Sequence, residues 1–355
     1  MDLKDVERRV FDLIGSSIVR VVPVVKWYSE DAREVTLPIA IETEPSKLFT
    51  FRTKVAVPSK SLSSTTWFLK IVFQGNALLK VDGESYSGVD EAHTYIPIEP
   101  GNHELEIRIS PRTMFGFHRW YMSFENAYLV EVEWSIVRLG LRLLALISYV
   151  EQLPREDPVR KDLEVLLYDI MTGVRVIPAV WQITSSISLL YERPLAQYFN
   201  RRDLRNPYGD YLYLSGVYGT GILKGYLEEP KANYTQIAEA IAISRRIEEK
   251  LFEGLRRISE KYGKNGLLII AGHSHIDAAW LWPRSETIEK ALRTFSTIVR
   301  LAKEYPKFTF VQSSAQYYEW VEKLDPRLFE EIGRLIKEGR WVIVGGMWVE
   351  SDVQL

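Results

Sequence analysis

Hydrophobic positions recur along the chain with a period that changes three times. In residues 1–15, Val6, Val10, Leu13 and Ile14 fall on one face of a short amphipathic helix. From Ile18 to about Val132 the period drops to two. Residues 67–73 and 77–81 read as strands, and Asp82–Gly83 supplies a hairpin turn. After a turn at Pro100–Gly101, Leu105, Ile107 and Ile109 alternate with Glu104, Glu106 and Arg108. Such alternation buries one face of a sheet and leaves the other in water, as in an antiparallel sandwich. Trp67, Tyr86, Tyr95 and Trp120 suit either a sugar-stacking platform or a core, and core is the expectation because most such aromatics are core. His93, His103 and His118 have no carboxylate at ligand spacing and read as surface or structural residues.

Helical periodicity takes over at about Ser135. Residues 136–152 and 159–170 form two helices broken at Pro154 and Pro158. Arg201, Arg202 and Asp203 with Asn206 and Pro207 mark a loop, and residues 216–225 are too glycine-rich for a helix. A long helix begins at about Thr235, lined by Ile237, Ile241, Ile247, Leu251, Leu255 and Ile258 and stopped by Gly263. Beyond Asn265, strands at 267–271, 309–312 and 341–345 alternate with helices at 285–305, 315–321 and 326–338, the first capped by Ser285. Strand–helix–strand spacing implies parallel pairing, as at the start of a β/α barrel. The chain therefore reads as multidomain. An N-terminal antiparallel β-sandwich with a short helix spans 1–134, a helical linker region 135–264, and the first strands of an incomplete parallel β/α barrel 265–355.

Composition narrows the function classes. With 355 residues, 46% hydrophobic and 26% charged, the chain has the make-up of a soluble globular protein. A net charge of −2 does not favour nucleic acid as a partner. The longest apolar run, 139–150, is broken by Arg142 and too short to span a bilayer. The N-terminus lacks a signal-peptide layout, so Asn233-Tyr-Thr235 reads as a chance glycosylation match and a cytoplasmic location is expected. No cysteine is present, so a zinc ion would be held by histidine and carboxylate.

The densest chemistry lies in residues 271–283, Ala-Gly-His-Ser-His-Ile-Asp-Ala-Ala-Trp-Leu-Trp-Pro. They follow the apolar run Leu267, Leu268, Ile269 and Ile270, which reads as a buried parallel strand. If the backbone stays extended past Gly272, a period of two puts His273, His275 and Asp277 on one face. Two imidazoles and a carboxylate at a strand's carboxyl end suit a divalent metal, zinc first. Trp280 adds a flat apolar wall. The plainer reading has the histidines satisfying backbone carbonyls and the aspartate capping a helix; three donors at alternate positions favour the metal. Gln312, Ser313 and Ser314, after the second strand, suit ligand contact and helix capping equally.

These residues resemble the segment that opens the catalytic barrel of the family 38 glycoside hydrolases, the retaining alpha-mannosidases, in their cytosolic and prokaryotic branch. The likeness runs through residues 272–283, then Glu286, Arg293-Thr-Phe, the block at 312–320 and the block at 339–350. It implies that His275 and Asp277 are two of four zinc ligands. It also implies that Trp280 floors the reacting sugar, that His273 orients the ligands, and that Asp352 is a substrate-binding rim residue. Ser351 stands where the family usually has proline.

The reaction implied is retaining hydrolysis of alpha-mannosides by two carboxyl groups, through a covalent intermediate. The family's nucleophilic aspartate lies in a Trp-x-x-Asp-x-Phe-Gly motif that does not occur here, and no histidine follows His275. The expectations are an N-terminal portion of such an enzyme, inactive in isolation and completed by a downstream polypeptide. Three strands leave an unpaired edge, so homo-oligomers are also expected. Two other classes compete. An amidohydrolase-type metal hydrolase also opens with His-x-His but needs later histidines. A non-catalytic carbohydrate-binding or scaffold protein would bind sugar without hydrolysis.

Overall fold

A computed structural model describes residues 3–90, 93–112, 116–172, 174, 234–263 and 266–351. The expected loop at 201–209 and the glycine-rich stretch at 216–225 lie outside them, as does Asp352.

The β-rich part begins with helix α1 (Leu3–Gly15) and strand β1 (Ile18–Pro23). It continues through β2 (Lys26–Ser29), β3 (Glu34–Thr36), β4 (Ile39–Glu42), β5 (Phe49–Val57) and β6 (Thr65–Phe73). Then come β7 (Asn76–Val81), β8 (Glu84–Asp90), β9 (Tyr95–Ile98), β10 (Gly101–Ser110) and β11 (Tyr121–Glu133). One sheet runs β1-β11-β6-β9, with β4 also on β11; the other runs β3-β2-β5-β10-β7-β8. Every pairing in both is antiparallel. Between them lies a core that includes Trp27, Phe51, Trp67, Leu79, Ile107 and Phe124.

The Asp82–Gly83 hairpin forms as expected, and one expectation, burial of a single sheet face, changes. The adjacent runs β6 and β7 fall in different sheets, because the chain crosses between them at Gly75 (φ +135°), where a Cβ would stand 2.5 Å from the Ser110 carbonyl oxygen. The hairpin is β7–β8, turning through Asp82 and Gly83 with φ of +53° and +84°. Strand β6 is also buried on both faces rather than one. The reason is a helical layer over its sheet: α1, α2 (Trp134–Gln152), α3 (Pro158–Met171) and α4 (Tyr234–Tyr262) cover Phe68, Tyr128, Val130 and Val132. The amphipathic spacing of Val6, Val10, Leu13 and Ile14 serves this second core.

The third part packs on the other sheet. Helix α5 (Arg284–Glu304) lies across β8 and β7, where the missing side chain of Gly88 lets it approach. The Gly88 amide donates to Thr297 Oγ1 at 2.8 Å. Helices α6 (Ala315–Leu324) and α7 (Pro326–Lys337) complete a core around Phe295, Phe310 and Trp341. Three short strands, β12 (Gly272–His273), β13 (Phe310–Gln312) and β14 (Trp341–Ile343), pair in parallel in that order.

No strand forms over 267–271; the paired residues are Gly272 and His273, just beyond it. The register pairs Gly272 with Phe310, and the residues before Thr309 turn out of α5 instead of extending, so the ladder ends there. Leu267, Leu268, Ile269 and Ile270 are exposed, at 78–86%. Helix α5 starts one residue earlier than expected, after Pro283, with no side-chain cap.

Candidate functional site

The candidate site grows from the carboxyl end of β12. His273 is the last paired residue, and its Nδ1 donates to the Val311 carbonyl at 2.9 Å. Beyond it the chain leaves the ladder, so strict alternation no longer sets side-chain direction. His275 and Asp277 nonetheless meet, with Nε2 and Oδ1 3.1 Å apart. The imidazole is open to solvent and the carboxylate half-buried. Among the described residues, no group of three or more histidine, cysteine, aspartate or glutamate side chains is gathered about one point. The structure thus brings two of the three expected donors together and ties the third to β13.

The pair has the donor types that hold a divalent metal, and at 3.1 Å it equally has the form of a His–Asp hydrogen bond. Bond lengths of about 2.0–2.1 Å in a tetrahedral site place two donor atoms roughly 3.3 Å apart. The observed separation is close to that without rearrangement.

Trp280 is exposed, and its ring meets that of buried Trp282 edge-on at 5.4 Å. Trp282 Nε1 donates to Thr287 Oγ1 at 2.9 Å, and that hydroxyl donates to the Asp277 carbonyl at 3.2 Å. Tyr317 OH donates to the Ile276 carbonyl at 2.5 Å, and burial raises its phenol pKa. The ammonium of Lys290 sits 3.7 Å from the Trp282 ring centroid, a cation–π contact. Burial pushes that ammonium down to about 8, and Arg293 adds to the shift.

Beside the site, Gln312, Ser313 and Ser314 are all buried. The Gln312 carbonyl accepts from Val344 N and Tyr318 OH, and Ser313 donates to Glu350. Ser314 precedes α6 at φ +64° without a side-chain cap.

Thr287, Trp282, Tyr317 and Lys290 were not singled out by spacing, because their contacts run to backbone carbonyls or ring faces that no sequence pattern encodes. In the sandwich, Trp67 is core as expected, whereas Trp120 is 66% exposed. Its backbone closes the short β4–β11 pairing at the sheet's rim, where no layer covers the ring. Tyr86 donates to the Pro97 carbonyl and Tyr95 packs on Phe68. Contrary to the sequence reading, two of the sandwich histidines do have a carboxylate partner: His93 pairs with Asp90 three residues before it, and His103 with Asp82 across the sheet, while His118 meets Thr43.

Comparison with known proteins bears on this same region. Residues 266–355 match the model of the "Glycosyl hydrolases family 38 N-terminal domain". Alpha-mannosidase G of Dictyostelium discoideum is 44% identical over 84 residues, 24% of this chain and 8% of that protein. Alpha-mannosidase 2C1 of Mus musculus is 33% identical over 144 residues, 38% of this chain and 14% of that protein. The chain thus spans only a small fraction of the relatives it matches. Among solved structures, an FMN-binding beta-glucuronidase from Facaelibacterium prausnitzii L2-6 overlaps 32% of this chain and 23% of its own, with a TM-score of 0.25 and 11% identity. That overlap is too slight to inform the fold. Similarity to the family 38 glycosyl hydrolases is thus concentrated in residues 266–355, where His275, Asp277 and Trp280 lie.

Proposed function

We propose that this chain supplies the metal-binding and sugar-binding corner of a zinc-dependent, retaining alpha-mannosidase. The observation that carries the reading is the 3.1 Å approach of His275 Nε2 to Asp277 Oδ1, beside exposed Trp280 and within the family-matched segment. His275 and Asp277 would hold the zinc, with His273 fixed by Val311 alongside. When bound, the ion supplies a Lewis-acidic anchor for sugar hydroxyls. Trp280 offers its face to the apolar side of a pyranose, which orients the ring without forming bonds to it. A retaining enzyme also needs two carboxyl groups about 5–5.5 Å apart, one as nucleophile and one as general acid. We assign neither role to a described residue, and we place Asp352 at the substrate rim by resemblance alone.

We also read the chain as three parts, 1–134, 135–264 and 265–355, the last being the opening of a β/α barrel. Parallel pairing of β12, β13 and β14 supports this, as does the apolar surface left open beside them by residues 267–270 and by Val342, Ile343 and Val344 of the β14 segment. A further stretch of polypeptide packed there would cover that surface.

Zinc titration of the 355-residue chain tests the metal reading, with His275→Ala and Asp277→Ala as controls. Two donors predict weak binding that either substitution abolishes. Tight stoichiometric binding indifferent to both would overturn the assignment. Assay of an aryl alpha-mannoside should show no turnover by this chain; robust turnover would mean that one of its own carboxylates is the nucleophile, with Asp352 the first to test.

A further inference from the structure

Residues of the sandwich reach the candidate site through buried contacts. Ser110 Oγ, at the end of β10, donates to Glu286 Oε2 at 2.5 Å, and Arg293 donates to the other carboxylate oxygen at 2.9 Å. Arg112 stands 4.0 Å from Glu286 and also donates to the Gly116 carbonyl at 2.8 Å. Glu286 is only 5% exposed. A carboxylate so buried cannot drop a partner without stranding its charge, so these groups decide where the first turn of α5 stands.

Thr287 is the next residue, and it is fully buried. Its single oxygen accepts from the Trp282 indole and donates to the Asp277 carbonyl, so it ties both ends of the segment 277–282 to α5. From outside, Gly116 lies against the Trp282 ring and Lys290 covers its face. Exposed Trp280 lies between these fastened ends.

We infer that Ser110 of the sandwich and Thr287 of α5 are positioning residues, which hold the His275–Asp277 donor pair and the Trp280 segment in place from beneath. The inference rests on the proposed reading of that pair as metal donors. It makes the sandwich part of the site's frame, although it contributes no group to the metal. Neither hydroxyl touches the donor side chains; each acts through Glu286, the α5 turn or the Asp277 backbone.

Two measurements on the 355-residue chain test it, comparing wild type with Thr287→Val, Thr287→Ser and Ser110→Ala. Hydrogen exchange at the amides of 277–282, without metal, should quicken roughly tenfold in Thr287→Val and stay near wild type in Thr287→Ser, which keeps the hydroxyl. Ser110→Ala should quicken the same amides by a smaller factor, and it serves as the test if Thr287→Val does not fold. Zinc affinity should fall in the same order, by up to about tenfold. Unchanged exchange in both substitutions that lack the hydroxyl overturns the inference. Faster exchange with unchanged zinc affinity overturns the link to the donor pair. A wild-type chain that binds no zinc defeats the metal reading instead, and exchange alone then decides whether the segment is held as described.

Discussion

Gly116 and Trp282 are in direct contact across the boundary between sandwich and α5, and a Cβ on the glycine would stand 2.5 Å from the indole. Gly116 also has φ +85°, a region that costs an L residue roughly 1–2 kcal/mol. Gly116→Ala should therefore combine backbone strain with overpacking, for a loss of about 2–4 kcal/mol in urea unfolding. The displaced indole should also shift the tryptophan emission of the folded chain. Unchanged stability and emission would mean that the loop sits away from Trp282 in solution.

Glu286 and Arg293 form a buried ion pair, each about a tenth exposed or less. Removing one partner should cost far more than neutralising both. Arg293→Met is expected to destabilise by about 3 kcal/mol, because it leaves the Glu286 charge with only Ser110 and the more distant Arg112. Adding Glu286→Gln to it should recover part of that loss. A double-mutant cycle by urea denaturation measures the coupling, and simple additivity would argue against the pair.

Burial holds the Lys290 ammonium at about 8 in the folded chain, against 10.5 as its ordinary value. Below pH 8 both states carry the proton, and the folded chain bears the full cost of burying the charge. Between pH 8 and 10.5 the folded chain releases the proton while the unfolded chain keeps it, so this group makes stability rise with pH. Above about pH 10 the opposite contribution enters from Tyr318, whose burial pushes its phenol up to about 12. The net expectation is a melting temperature that rises between pH 8 and 10. Lys290→Met should flatten that rise, and a slope that persists in the variant would assign it to another group.

Leu267, Leu268, Ile269 and Ile270 are exposed beside the parallel sheet. Replacing Leu268 and Ile270 with serine should change unfolding free energy by less than about 0.5 kcal/mol, since neither is buried. The same change should lower self-association measured by sedimentation. A marked loss of stability would show that the run packs against the chain in solution.

The helices and strands were largely readable from periodicity, because a residue's choice between helix and strand is set by neighbours within one turn. Helix α4 ends at Gly263, which adopts φ +79°, as its position after the periodic run implied. The His275–Asp277 contact is legible for the same local reason, since the two residues are two positions apart. The apolar run before it does not form the expected strand, since an apolar run reports a tendency to bury and not whether a neighbour extends alongside. The fate of residues 267–270 depends on where β13 begins, some forty residues later.

By itself, then, the sequence determined the local periods, the Asp82–Gly83 turn, the closeness of His275 to Asp277 and the family likeness of the last quarter. Tertiary structure decided which layers cover which faces. It sent β6 and β7 to different sheets, buried Trp67 while exposing Trp120, and joined Ser110 to Glu286 across 176 positions of sequence. Each of these outcomes depends on burial between elements far apart in the chain. Desolvation acts on assembled surfaces, and a surface exists only once the layers have met.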